Sequence, residues 1–135
     1  MAVAGWILDK SAAVHAADPG VRAELAALAG ALYLCPVSEL EQLYSARSAA
    51  EYDAWKARLH AGFVFVGAPT DIFDRALGLQ QDLAHHHGMW HRTPIPDLLI
   101  AETALHHGFG VVTVDADFER IAEVRPLIVR RLKHS

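Results

Sequence analysis

Cysteine is nearly absent. Cys35 is the only one among 135 residues, which permits no intramolecular disulfide and no cysteine-based zinc site, and so excludes disulfide scaffolds and zinc ribbons and fits a reducing cytoplasm. No apolar run reaches the roughly 20 residues of a membrane span. The apolar opening from Met1 to Leu8 has no basic segment before it and meets Asp9 and Lys10 at once, so it reads as a buried strand and not as a leader or an anchor. Proline, glycine and serine never cluster into a linker, and no long repeat recurs. Nor is basic charge in excess: 12 Lys and Arg stand against 16 Asp and Glu, a formal net charge of −4, which weighs against a polyanion-binding surface. There is no Walker A loop, no G-x-G-x-x-G, no G-x-S-x-G elbow and no H-E-x-x-H. What is present, 53% hydrophobic and 21% charged residues, suits one domain over residues 1–135 that buries its own core.

Short apolar runs alternate with longer segments of helical period, the pattern of an α/β domain with a mostly parallel sheet of four to five strands. Strands are expected at residues 2–8, 31–34, 63–66, 111–114 and, as an edge, 127–129. Helices are expected at 11–17, and from Pro19, behind an Asp18 cap, to near Gly30. A third starts at Pro36, with Val37, Leu40, Leu43 and Tyr44 as its buried stripe. Ser48 and Glu51 have capping-box spacing and open a helix to about His60. A long helix runs from about Thr70, with Ile72, Phe73, Ala76, Leu77 and Leu83 as its apolar side and Gly88 as its C-cap. After a loop to Pro94, Pro96 opens an apolar helix ending at Gly108 or Gly110, and 117–123 is a last, short one.

The acids fall in informative places. Asp9 directly follows the first strand and Asp115 the fourth, with Asp117 close behind, and parallel sheets bind ligands at the carboxyl ends of their strands. Asp97 lies in the first turn of the apolar helix, and Glu41 in the helix after the second strand. If strands one and four are neighbours, these groups converge, and clustered carboxylates need a compensating cation. A hard divalent ion, Mg²⁺ or Mn²⁺, takes oxygen ligands and activates water against a phosphodiester. Each acid also has an ordinary use. Asp commonly caps helices, and an acid in a first turn suits the helix dipole. Ser38 and Glu41 have capping-box spacing, and Glu39 is a rival ligand on another face.

Four segments carry a resemblance: Ile7-Leu8-Asp9-Lys10-Ser11-Ala12-Ala13, Leu40-Glu41-Gln42-Leu43-Tyr44-Ser45-Ala46, Ile95-Pro96-Asp97-Leu98-Leu99-Ile100-Ala101 and Thr113-Val114-Asp115-Ala116-Asp117-Phe118. In that order they resemble the successive motifs of PIN-domain ribonucleases, most closely VapC toxins of type II toxin–antitoxin modules of actinobacterial kind. The resemblance implies a PIN-like three-layer α/β/α domain and a Mg²⁺-dependent endoribonuclease, with Mn²⁺ as a substitute. Asp9, Glu41, Asp97 and Asp115 would be the catalytic and metal-holding acids, Asp117 an accessory acid, and Ser11 the hydroxyl that orients the first Asp or a metal-bound water. It favours Glu41 over Glu39. The implied substrate is a structured RNA, tRNA or ribosomal RNA, the implied partner a VapB antitoxin, and the implied assembly a cytoplasmic homodimer without membrane association. Lys10 stands where many members have Thr.

Two alternatives stay open: a PIN nuclease of RNA processing outside toxin–antitoxin modules, and a PIN-fold module that only binds. A receiver-like or phosphatase-like domain fits less well, because no second Asp stands beside Asp9. The run His85-His86-His87 cannot ligate one ion from a single helix, because adjacent residues point apart. Arg92 and Lys10 are candidate RNA contacts, and Trp90 a candidate substrate or partner contact. The terminal cluster of Arg120, Arg125, Arg130, Arg131 and Lys133 is either a phosphate-binding surface or an ordinary solvated tail. Two divalent ions in the acidic cluster would cancel the net charge of −4.

Overall fold

Five short strands run parallel in one sheet. They are β1 (Trp6–Leu8), β2 (Leu32–Leu34), β3 (Val64–Phe65), β4 (Gly110–Thr113) and β5 (Val129–Arg131), in the spatial order β3-β2-β1-β4-β5. The computed structural model describes residues 3–86, 88 and 90–133, with Trp90 described in its backbone only. Strands β1 and β4 are neighbours, with Ile7 beside Val111 and Leu8 beside Val112. The chain winds from β1 outward to β2 and β3, then returns to place β4 on the other side of β1. Sheet order therefore reverses at β1 and β4, and this is where open parallel sheets form ligand crevices.

The pleat sends alternate residues to opposite faces. Ile7 and Val111 pack with Leu79, Leu83, Ile100, Ala104 and Phe118, and Leu8 and Val112 pack with Ala12, Val21 and Leu132. Seven helices cover the two faces: α1 (Lys10–Val14), α2 (Pro19–Ala27), α3 (Pro36–Leu43), α4 (Ala49–Gly62), α5 (Ile72–His85), α6 (Ile95–His107) and α7 (Asp117–Ile121). Their starts follow the expected chemistry. Asp18 accepts from the Val21 N–H with Pro19 at the first helical position, and Ser48 accepts from the Glu51 N–H. Gly108, at φ 72°, closes α6 in the left-handed conformation. Gly110 has a different reason to be glycine: a Cβ there would come within 2.6 Å of the Trp6 ring and 2.7 Å of the Ile128 carbonyl oxygen.

Several expectations are corrected. Leu40 and Tyr44 are not in a buried stripe; they are 67% and 87% exposed, and only Leu43 of that set is in the core. Phe73 and Leu77 face solvent as well, while α5 buries Ile72, Ala76, Leu79 and Leu83. Periodicity identifies an apolar face and does not say whether anything covers it. The last strand lies at Val129–Arg131, further along than expected, because it pairs with Val111–Thr113 and its register is set by that partner. The long helix ends with His86 as its C-cap, and Gly88, at φ 91°, belongs to the turn beyond, which includes a 3₁₀ turn at Trp90–Arg92. Ser38 does not form a box with Glu41. Its hydroxyl accepts from the Cys35 N–H and donates to the Cys35 carbonyl oxygen.

Candidate metal centre

The acids meet at the carboxyl ends of β1 and β4. Asp9 is delivered by the end of β1, Glu41 by the second turn of α3, Asp97 by the first turn of α6, and Asp115 and Asp117 by the segment after β4. All five line one cavity of about 290 Å³, together with Lys10, Ser11 and His15. One carboxylate oxygen each from Asp9, Glu41 and Asp97 lies within 4.8 Å of the others. Glu39, the rival, is turned away: its carboxylate accepts from Lys56 Nζ at 2.9 Å and lies 2.6 Å from His60 Nε2. A larger depression of about 610 Å³ along α5, lined by Asp74, Gln80 and His91 among others, brings no such set of acids together among the described residues.

Asp97 and Asp117 do stand in the first turns of α6 and α7, where an acid suits the helix dipole, but the ordinary capping use of Asp9 is not realised. Asp9 occupies the N-cap position of α1 and its side chain makes no capping hydrogen bond. Instead its Oδ2 accepts from Ser11 Oγ at 2.7 Å and from Thr113 Oγ1 at 3.0 Å. Each hydroxyl is itself anchored, Ser11 Oγ by the Val114 N–H at 2.9 Å and Thr113 Oγ1 by the Asp115 N–H at 3.1 Å. Both hydroxyls thus meet one carboxylate oxygen and lie 3.0 Å from each other, a compact hydrogen-bonded set that orients the Asp9 carboxylate. Thr113 is the residue that sequence reasoning missed. A β-branched hydroxyl at the end of a strand reads as a strand former, and its link to Asp9 depends on the pairing of β1 with β4.

Burial and crowding show in the titration of the cluster. Burial, followed by the charges of Asp9, Asp117, Glu41 and Asp115, pushes Asp97 up to about 8 from an ordinary 3.8. Burial and the Asp9 charge raise Glu41 against a pull from Lys10, and burial with Asp9 and Asp117 raises Asp115 against His15 and Arg131. Carboxylates crowded and buried in this way call for a compensating cation. A set made only of oxygen donors suits a hard divalent cation. The largest oxygen separation in an octahedral Mg²⁺ shell is about 4.2 Å, so the three acids fit one ion with a small inward adjustment or one intervening water.

The remaining candidates lie elsewhere. Arg92 is exposed and does not line the cavity. The terminal basic cluster is largely neutralised within the protein: Arg125 pairs with Asp82 and Glu102, Arg130 with Glu24, Arg131 with Glu119, and Arg120 stands 3.8 Å from Asp117. In the histidine run, His86 Nε2 is 3.4 Å from Glu123. His87 and the side chain of Trp90 lie outside the described residues.

Residues 6–124 match the PIN domain family. Ribonuclease VapC17 of Mycobacterium tuberculosis is 56% identical over 124 residues, covering 90% of each chain, and Ribonuclease VapC21 of the same species is 38% identical over 121 residues, covering 88% of this chain and 87% of the relative. Among solved structures, the fold is shared with VapBC2 from Rickettsia felis bound to a promoter DNA fragment (TM-score 0.72, 17% identity, 95% and 98% of the two chains) and with VapBC-5 of M. tuberculosis (TM-score 0.66, 22% identity, 95% and 98%). The fold and the matched motifs define a PIN domain, and within that class the chain belongs to the VapC family.

Proposed function

We propose that this protein is a divalent-metal-dependent endoribonuclease, the toxin of a type II toxin–antitoxin module, which cleaves structured RNA such as tRNA or ribosomal RNA in the cytoplasm until a VapB-type antitoxin silences it. The observation that carries the reading is the convergence of Asp9, Glu41 and Asp97 within 4.8 Å on a carboxyl pushed up to about 8. The VapC relatives, which are named ribonucleases, and the VapBC complexes that share the fold support the RNA substrate and the antitoxin partner. No helix among the described residues is long and apolar enough to cross a membrane.

Asp9, Glu41 and Asp97 would hold the metal, with Asp115 and Asp117 lining the same cavity beside them. Ser11 and Thr113 keep the Asp9 carboxylate in one orientation. Mg²⁺, or Mn²⁺ in its place, would neutralise the cluster, hold a phosphodiester oxygen and lower the pKa of a water for in-line attack on phosphorus. A cation held there would favour the ionised form of Asp97, because a protonated carboxyl offers it no charge. Lys10, at the mouth, offsets some of the repulsion that five acids exert on an RNA backbone. A homodimer is supported by a second feature: Phe73 and Leu77 of α5 and Ile95 of α6, all more than 60% exposed, flank an apolar groove of about 310 Å³.

The test is metal-dependent cleavage of total tRNA and ribosomal RNA by purified protein. Asp97→Asn is expected to reduce cleavage by more than about 100-fold, the upper range for the loss of a mere supporting contact, while the variant stays folded. An Asp97→Asn protein that cleaves at the wild-type rate would end the reading.

A further inference from the structure

We propose that Tyr44, with Lys10, forms a stacking platform for one unpaired base of the RNA beside the bond to be cut. The proposal rests on the nuclease reading and names how that site would take its substrate. Tyr44 is 87% exposed, the most exposed of the large apolar and aromatic side chains of the described residues. It caps α3 in helical backbone conformation three residues after Glu41, and residues three apart share a helix face, so the ring stands on the side of the helix that presents Glu41 to the acidic cavity. The Lys10 ammonium sits 5.8 Å from the Tyr44 ring centroid, and Lys10 itself lines the cavity next to Asp9. Ring, cation and acids therefore follow one another across the mouth.

Chemistry favours a nucleobase on this ring. The acids repel a polyanion, and the terminal arginines that would offset them are engaged in ion pairs. Lys10 and His15 are the only basic side chains lining the cavity among the described residues. An RNA held there gains little from phosphate contacts and must gain elsewhere. Single-stranded and loop nucleotides gain it by stacking bases on exposed aromatic rings, an interaction indifferent to which base is present. A cation beside the ring serves twice, against its π face and against the phosphate that links the stacked nucleotide to the cavity. Val14, 66% exposed, lines the same cavity, and Leu40, 67% exposed, lies four residues before Tyr44 and so on its side of the helix.

The test measures binding by fluorescence anisotropy, using the full-length protein in Ca²⁺ and two labelled probes, decauridylate and the same ribose–phosphate chain without bases. Tyr44→Ala is expected to weaken decauridylate by about 10-fold and to leave the baseless probe unaffected. Tyr44→Trp is expected to bind decauridylate at least as well as wild type. Equal losses on both probes would overturn the proposal in favour of a structural or purely electrostatic role. No loss on either would overturn it in favour of a protein partner on this face, as would a wild type that prefers neither probe. Failure of the nuclease reading is seen separately, in undiminished RNA cleavage by Asp97→Asn.

Discussion

One helix, α6, carries two buried carboxylates, and their surroundings could hardly differ more. Asp97, in its first turn, shares its cavity with Asp9, Glu41, Asp115 and Asp117, and no Lys or Arg among the described residues forms an ion pair with it. Glu102, further along, is equally buried, but Arg125 Nε donates to it at 3.2 Å while Arg125 Nη1 donates to Asp82 at 2.7 Å. Burial raises the pKa of both. At Glu102 the neighbouring arginine pulls back against burial, and the pair ties α6 to the segment after α7. At Asp97 the charges of Asp9, Asp117, Glu41 and Asp115 all add to burial. A buried acid is therefore no sign of function by itself; what marks a site is a buried acid whose compensation has to come from outside the chain.

That difference is sharpest in its pH dependence, where the largest effect is expected. The Asp97 carboxyl titrates at about 8 in the folded protein against an ordinary 3.8. Over that interval the unfolded chain has lost a proton that the folded chain still holds, so the contribution of this group to stability is full below about pH 4 and is lost as pH rises toward 8, by up to about 6 kcal/mol. Glu41 and Asp115, also raised, act with the same sign. Urea unfolding between pH 5 and 8 in EDTA is expected to show this decline, and saturating Mg²⁺ to flatten or reverse it, since the ion binds the ionised cluster. Asp97→Asn should flatten the EDTA curve while abolishing the Mg²⁺ effect. A curve unaffected by either change would erase the contrast with Glu102.

The next effect breaks the comparison from its other side. Arg125→Ala leaves Glu102 buried without its partner and is expected to cost about 3 kcal/mol in unfolding free energy, the range for a buried pair broken on one side. Glu102→Gln should cost less, because Asp82 still holds Arg125. Neither change touches the cavity at the ends of β1 and β4. Metal binding by the folded protein, measured calorimetrically with Mn²⁺, is expected to keep its wild-type affinity in both.

The two acids were also unequally legible in the sequence. Strand-end acids such as Asp9 and Asp115 stand out because apolar runs stop at them, and Asp97 because it opens an apolar helix behind Pro96. Their convergence was conditional on β1 and β4 being neighbours, which no local pattern encodes. Glu102 and its arginine gave no signal, since their pairing spans 23 residues and two helices. The exposed Leu40, Tyr44, Phe73 and Leu77 were misread for a related reason. Helical spacing reveals that a face is apolar, and whether the chain, a second copy or a ligand covers it is a tertiary fact.

The smallest effect concerns what distinguishes Asp9 from Asp97 inside the cluster. Asp9 Oδ2 is held by two hydroxyls, of which the Thr113 one is fully buried and is itself held by the Asp115 amide. Thr113→Val preserves shape and removes one donor to Asp9 and the acceptor for Asp115, so the carboxylate gains freedom to rotate away from the metal position. Loss of such an outer support typically reduces metal affinity or activity by about 10- to 100-fold. Thr113→Ser, which keeps the hydroxyl and loses only a methyl group, is expected to retain most of both. If Val and Ser weaken Mn²⁺ binding equally, the methyl packing is what matters and the hydroxyl pair does not position Asp9. If only Val does, the acid cluster is organised from β1 and β4 outward, with Asp9 as its fixed member.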